Sequence, residues 1–185
     1  QLLSCSPSES SEILIKASRH DNVQTRRETA SSLQRIASDD FSLALSLMDD
    51  LLGDPDSDVR VISATYLSSL VRSDTHLFIE KAKPVLERAE IRLTKRIVES
   101  AIREYLSLDS FDGAGLLPLA WASSDQSTKS KLAGLIIQQS EVNYEGFTDT
   151  CRRFKEISHD TFIDLKSYIL RRDSSMEEKL PELQD

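Results

Sequence analysis

The residue types that most often carry chemistry are sparse in this chain and lie apart. The histidines His20, His76 and His159 fall in three separate stretches, two of them beside an aspartate as His20-Asp21 and His159-Asp160. Metal binding or acid–base catalysis needs imidazoles and carboxylates that converge at ligand spacing, and neither a His-Glu pair nor an H-x-x-x-H motif occurs. Turn or capping roles are therefore expected for all three. Cys5 and Cys151 lack C-x-x-C spacing, which supports neither a zinc site nor a disulfide framework. Cys151 stands beside Arg152 and Arg153, neighbours that favour a thiolate, but no histidine is within sequence reach, so a core or half-exposed thiol is expected. The serines sit in no G-x-S-x-G elbow. Gly113-Ala114-Gly115 precedes an apolar stretch with no Lys or Ser/Thr after it, so it reads as a flexible turn, not a phosphate loop. No enzyme activity, metal or cofactor is expected.

The elements that hold these residues are helical by composition. The chain has 185 residues, 39% hydrophobic and 29% charged, enough for one domain with a continuous core. Only 5 Gly and 5 Pro leave little turn chemistry for a many-stranded sheet. Neither a long apolar run nor a basic-then-apolar leader is present, so no membrane span or signal peptide is expected, and a reduced, cytoplasmic setting is. Gln1 is not an initiator methionine, so the chain reads as an excised domain or a trimmed protein. A net charge of −8 argues against a uniformly basic nucleic-acid binder.

An internal repeat organises the chain. Val59-Arg60, Ala64, Leu67 and Leu70 have counterparts 34 positions earlier in Thr25-Arg26, Ala30, Leu33 and Ile36. Weaker copies follow at Leu93-Thr94 and at Thr128-Lys129. The residue three places before each copy is Asn22, Asp56, Glu90 or Asp125, which suits a helix N-terminus. Pro84 and Pro118 keep the same spacing of 34 in another position of the repeat. Apolar periodicity predicts helix pairs over 8–19 with 23–37, 40–53 with 57–72, 75–87 with 91–106, 110–123 with 126–140, and 146–158 with 160–172. Short connections make each pair an antiparallel hairpin, and a hairpin must stack on others to bury its apolar stripe. The acidic stretch 173–185 reads as a tail, either unstructured or docked over the last hairpin through Leu180 and Leu183.

The segment Leu51 to Arg60 with Ala64 resembles the turn and second helix of a HEAT repeat, and Pro84 and Pro118 resemble that family's kinking proline. A tetratricopeptide array shares the period, but its Trp/Gly/Tyr/Ala signature is absent. The resemblance covers most of residues 8–172 and implies an all-α, right-handed α-α superhelix (an α-solenoid) of about five hairpins. It also implies that the second helices line the concave face. The family's arginine after valine ties successive repeats through turn aspartates, so Arg26 and Arg60 are expected to be structural, with Asp21, Asp56 and Asp58 as partners.

Charge divides unevenly between the two sets of helices. Second helices and the turns leading into them sum to +6, which leaves −14 for the rest of the chain. Arg27, Arg35, Arg72, Lys95, Arg96, Arg103 and Lys131 are thus expected to face a groove suited to a protein or acidic peptide, or to a phosphate backbone. The ordinary alternative is a solvated helix face. Trp121 reads as core or as a binding anchor, and Tyr66 and Tyr105 read as packing residues or groove contacts. An interaction scaffold is the expected function, with nucleic-acid binding of the DNA-repair type as the alternative.

Overall fold

The computed structural model describes residues 7–108 and 115–179, and among these every regular element is a helix. Alpha-helices α1 (Pro7–Ser18), α2 (Val23–Ser31) and α3 (Leu33–Asp39) make the first hairpin, α2 and α3 being one interrupted second helix. The second hairpin is α4 (Phe41–Leu52) with α5 (Ser57–Ala64) and α6 (Leu67–Ser73). In the third, α7 (Thr75–Glu87) precedes α8 (Ile91–Ile97), a π-helical turn (Val98–Ile102) and α9 (Arg103–Tyr105). The fourth is α10 (Leu116–Ala122) with α11 (Gln126–Val142), and the fifth is α12 (Tyr144–Ile157) with α13 (His159–Arg172). A short α14 (Met176–Lys179) follows. The expected helix over 110–123 begins at Leu116, residues 109–114 lying outside the described ones, as do Cys5, Gly113, Ala114, Leu180 and Leu183.

Side-chain caps set the helix starts. Asn22, Asp56 and Asp125 accept from the amides of Gln24, Val59 and Thr128, in the positions where the repeat places Asn or Asp. Asp40, Asp74 and Asn143 do the same for α4, α7 and α12, accepting from Leu43, Leu77 and Gly146. Each such cap contributes about 1 kcal/mol. Glu90 makes no cap bond, because its carboxylate goes to Arg60 instead. Pro84 lies inside α7, as the repeat predicts. Pro118 falls in the first turn of α10, where a missing amide proton costs nothing.

The second helices of the first three hairpins are interrupted at a common position of the repeat: Ser32, Thr65-Tyr66 and the π turn. Serines there bond back to backbone carbonyls, Ser32 to Glu28, Ser63 to Val59 and Ser100 to Arg96, and so compete with the helical ladder. The fourth hairpin has Gly134-Leu135 at that position, and α11 runs unbroken for 17 residues.

Each helix touches its hairpin mate, and most also touch a neighbour in the next hairpin: α1 with α4, α2 with α5, α5 with α8, α7 with α10, α10 with α12 and α11 with α13. One apolar cluster runs through all five hairpins, from Ala30 through Leu47, Leu67, Phe78, Ile97 and Trp121 to Phe154, Ile169 and Met176. Trp121 is core. Its ring meets Phe154 and Tyr168 edge-on at 5.8 and 5.3 Å, and Phe78 contacts Tyr105 at 5.5 Å. Tyr66 and Tyr105 are likewise buried by packing.

Replacing Leu47, wholly buried in α4, by alanine should lower the unfolding free energy in urea by about 2–5 kcal/mol. Ala89→Gly should behave oppositely. Ala89 holds φ 56° between α7 and α8, so glycine there should leave stability unchanged or raise it by up to about 1 kcal/mol.

Candidate interaction surface

Arginines of the second helices reach the next hairpin. Arg26 Nε and Nη2 donate to the Asp54 carboxylate at 2.6 and 3.1 Å, and Nη1 donates to the carbonyls of His20 and Asp21. The Asp54 side chain is only 4% exposed, so the pair closes the gap between two turns. Arg60 repeats the arrangement with Glu90 at 2.7 Å and with the carbonyls of Asp54 and Pro55. The carboxylate partners are therefore Asp54 and Glu90, and Asp21 supplies only its carbonyl. Asp56 is already taken: its bonds from the Val59 and Asp58 amides and from Arg27 hold the carboxyl below its usual range. Thr94 occupies the arginine position in the third hairpin and is buried with its hydroxyl unpartnered. Lys129 occupies it in the fourth, donating to Asp164 at 2.6 Å. Asp164 also accepts from Trp121 Nε1 at 3.0 Å. Burial alone would push the Asp164 carboxyl up, but these two donors outweigh it and hold it low.

The seven cations expected to face a groove divide into two groups. Arg27 pairs with Asp56 and Asp58, and Asp58 also takes Arg92, so one run of charges links three hairpins. Arg72 pairs with Glu104, Lys131 with Glu99, and Arg96 donates to the Thr65 hydroxyl at 3.1 Å. Arg35, Lys95 and Arg103 are exposed and make no hydrogen bond or ion pair among the described residues. The sequence reading missed Arg92, Glu90, Glu99, Glu104 and Asp164 as partners. Their signal was available: opposite charges about one repeat apart, as in Asp58 and Arg92.

A trough separates the second helix of the third hairpin from α11. At one end, a cavity of about 370 Å³ is bounded by Val98, Glu99, Arg103, Lys131, Gly134, Leu135, Gln138 and Arg172. A second, of about 270 Å³, shares Arg103, Leu135 and Gln138 and extends to Leu106, Gln139 and Val142. Gly134 leaves room here. A Cβ would lie 2.8 Å from Cζ of Arg172, so the bare backbone lets that guanidinium cross α11 and donate to the Ser130 carbonyl. Gln139 is 2% exposed, and neither the oxygen nor the nitrogen of its amide has a partner among the described residues. Leaving such a group unmatched costs about 1–3 kcal/mol. Beside the trough, Lys131 bonds to Glu99 and holds its carboxyl low, with Lys95 and Arg96 adding to the effect.

No group of three or more His, Cys, Asp or Glu among the described residues converges as a metal site would require. His20 accepts from the Asn22 amide at 3.0 Å, His159 opens α13, His76 is exposed, and Cys151 is a buried thiol. No described helix is long and apolar enough to cross a membrane. No protein-family model, curated protein or solved structure matches the chain.

Glu99, Asp125 and Asp164 all titrate below their ordinary values, so each stabilises the fold above its unfolded pKa. That stability is lost as pH falls through the folded values. Urea midpoints should hold steady down to about pH 5 and then drop, and Asp164→Asn should flatten the acid limb. A variant with an unchanged acid limb would remove Asp164 from this account. Gln139→Leu should raise the unfolding free energy by about 1 kcal/mol, since it deletes an unmatched buried amide.

Proposed function

We propose that residues 1–172 form a HEAT-like right-handed α-α superhelix that acts as an interaction scaffold, with 173–185 as its acidic tail. A protein partner or acidic peptide is received on the face made by the second helices. Stacked hairpins suit this role because they present a wide surface already ordered before binding. The observation that carries the reading is the state of the cations. Arg27, Arg72 and Lys131 are neutralised by carboxylates of an adjacent hairpin and Arg96 donates to a hydroxyl, while Arg35, Lys95 and Arg103 are exposed and unpaired among the described residues.

The same pattern disfavours the nucleic-acid alternative. A duplex is held by a run of free cations along its phosphates, and here Glu99 and Glu104 interrupt the run. Fluorescence anisotropy with labelled duplex DNA tests this. Little binding is expected even at about 50 mM salt, whereas tight binding that collapses by about 200 mM would overturn the protein-scaffold reading. For a peptide selected on the wild-type surface, the double variant Lys95→Glu/Arg96→Glu should weaken binding about tenfold or more. Equal affinity would move the site off this face.

A further inference from the structure

We infer that the trough between the third hairpin's second helix and α11 is a binding site for an extended acidic peptide. A carboxylate side chain of the peptide sits between Arg103 and Arg172, and an aliphatic side chain about four residues along covers Val142 beside Leu106. This rests on the scaffold reading and specifies where, and by what chemistry, the partner is held.

The two ends of the trough differ in character. At the Lys131 end, Arg103 has no partner among the described residues, and Arg172 makes one hydrogen bond with a guanidinium that carries five donors. A carboxylate meeting two such groups forms charge-assisted, paired hydrogen bonds. At the other end Val142 is a large apolar side chain left 70% exposed by the described residues, beside Leu106. Leu135 floors both halves. From Lys131 to Val142 the α11 axis spans about 16 Å, the length of roughly five extended residues at about 3.3 Å each.

Gln139 supplies an independent pointer. The residue borders the trough, and its amide nitrogen and oxygen are buried beside it with no hydrogen-bond partner among the described residues. A primary amide offers one C=O and one N–H side by side, the complement of a peptide's main-chain amide. Once the Gln139 side chain turns toward the trough, a peptide backbone there would satisfy both atoms together, which a phosphate or an isolated carboxylate would not.

The test uses the full chain and a fluorescein-labelled peptide whose Glu and Leu, four residues apart, share one face of the extended chain, followed by anisotropy. A control peptide carries Lys in place of each acid. The acidic peptide should bind about tenfold or more tightly than the control. Arg103→Glu and Gly134→Met should each weaken it about tenfold or more, the second by filling the trough. Arg103 is exposed, so its variant folds regardless of how α11 tolerates methionine. Arg103→Lys should retain part of the affinity, and Gln139→Leu should weaken binding while raising thermal stability, a combination that a purely structural glutamine would not give. Unchanged affinity in both Arg103→Glu and Gly134→Met overturns the inference. A random peptide library displayed on phage separates the two levels of the proposal. Selected peptides insensitive to both variants would sink the trough while leaving the scaffold. An unbound acidic probe together with an empty selection would sink both.

Discussion

No helical hairpin in this chain can hide its own apolar surface, and the architecture answers that constraint. Helix α4 alone buries Ala44, Leu47, Met48, Leu51 and Leu52, and it does so against helices of the first hairpin as well as its mate. Trp121 shows the same dependence further along, since its two ring partners come from the fifth hairpin. Each hairpin is completed by the next, and the result is a single apolar cluster rather than five small ones.

Apolar contact does not by itself choose a register, because it is non-directional. The ion pairs do. Arg26 with Asp54, Arg60 with Glu90, Arg72 with Glu104 and Lys129 with Asp164 all join one hairpin to the next, and most lie near the surface, where each contributes little stability. Their consequence for function is larger. A second-helix layer that looks basic by count is partly neutralised by neighbouring hairpins, and the charge left for a partner is local rather than continuous.

The trough sits beside an irregularity in the repeat. It lies where the last interrupted second helix, with its π turn, meets the first unbroken one. A π turn widens a helix locally, while Gly134 removes a side chain from the facing one. A similar space of about 350 Å³ lies between the second helices of the first two hairpins, where neither departure occurs, so the π turn and Gly134 shape the trough rather than create it.

The helix pairs, the caps at Asn22, Asp56 and Asp125, and the place of Pro84 were legible in the sequence. Each depends on neighbours within about four residues or on a periodic apolar face, so the information is local. The partners of the charged residues were not. An arginine side chain spans several turn positions, and whether Arg27 or Arg26 takes Asp56 depends on how one hairpin rotates against the next. The crossing of Arg172 over Gly134 and the unmatched Gln139 amide belong to the same class. The sequence by itself determined that the chain would be helical and repetitive, because backbone capping and helical periodicity are properties of short segments. Only the packing of hairpin on hairpin decided which charges remained free and where a trough opened, because those depend on side chains some thirty residues apart meeting in space.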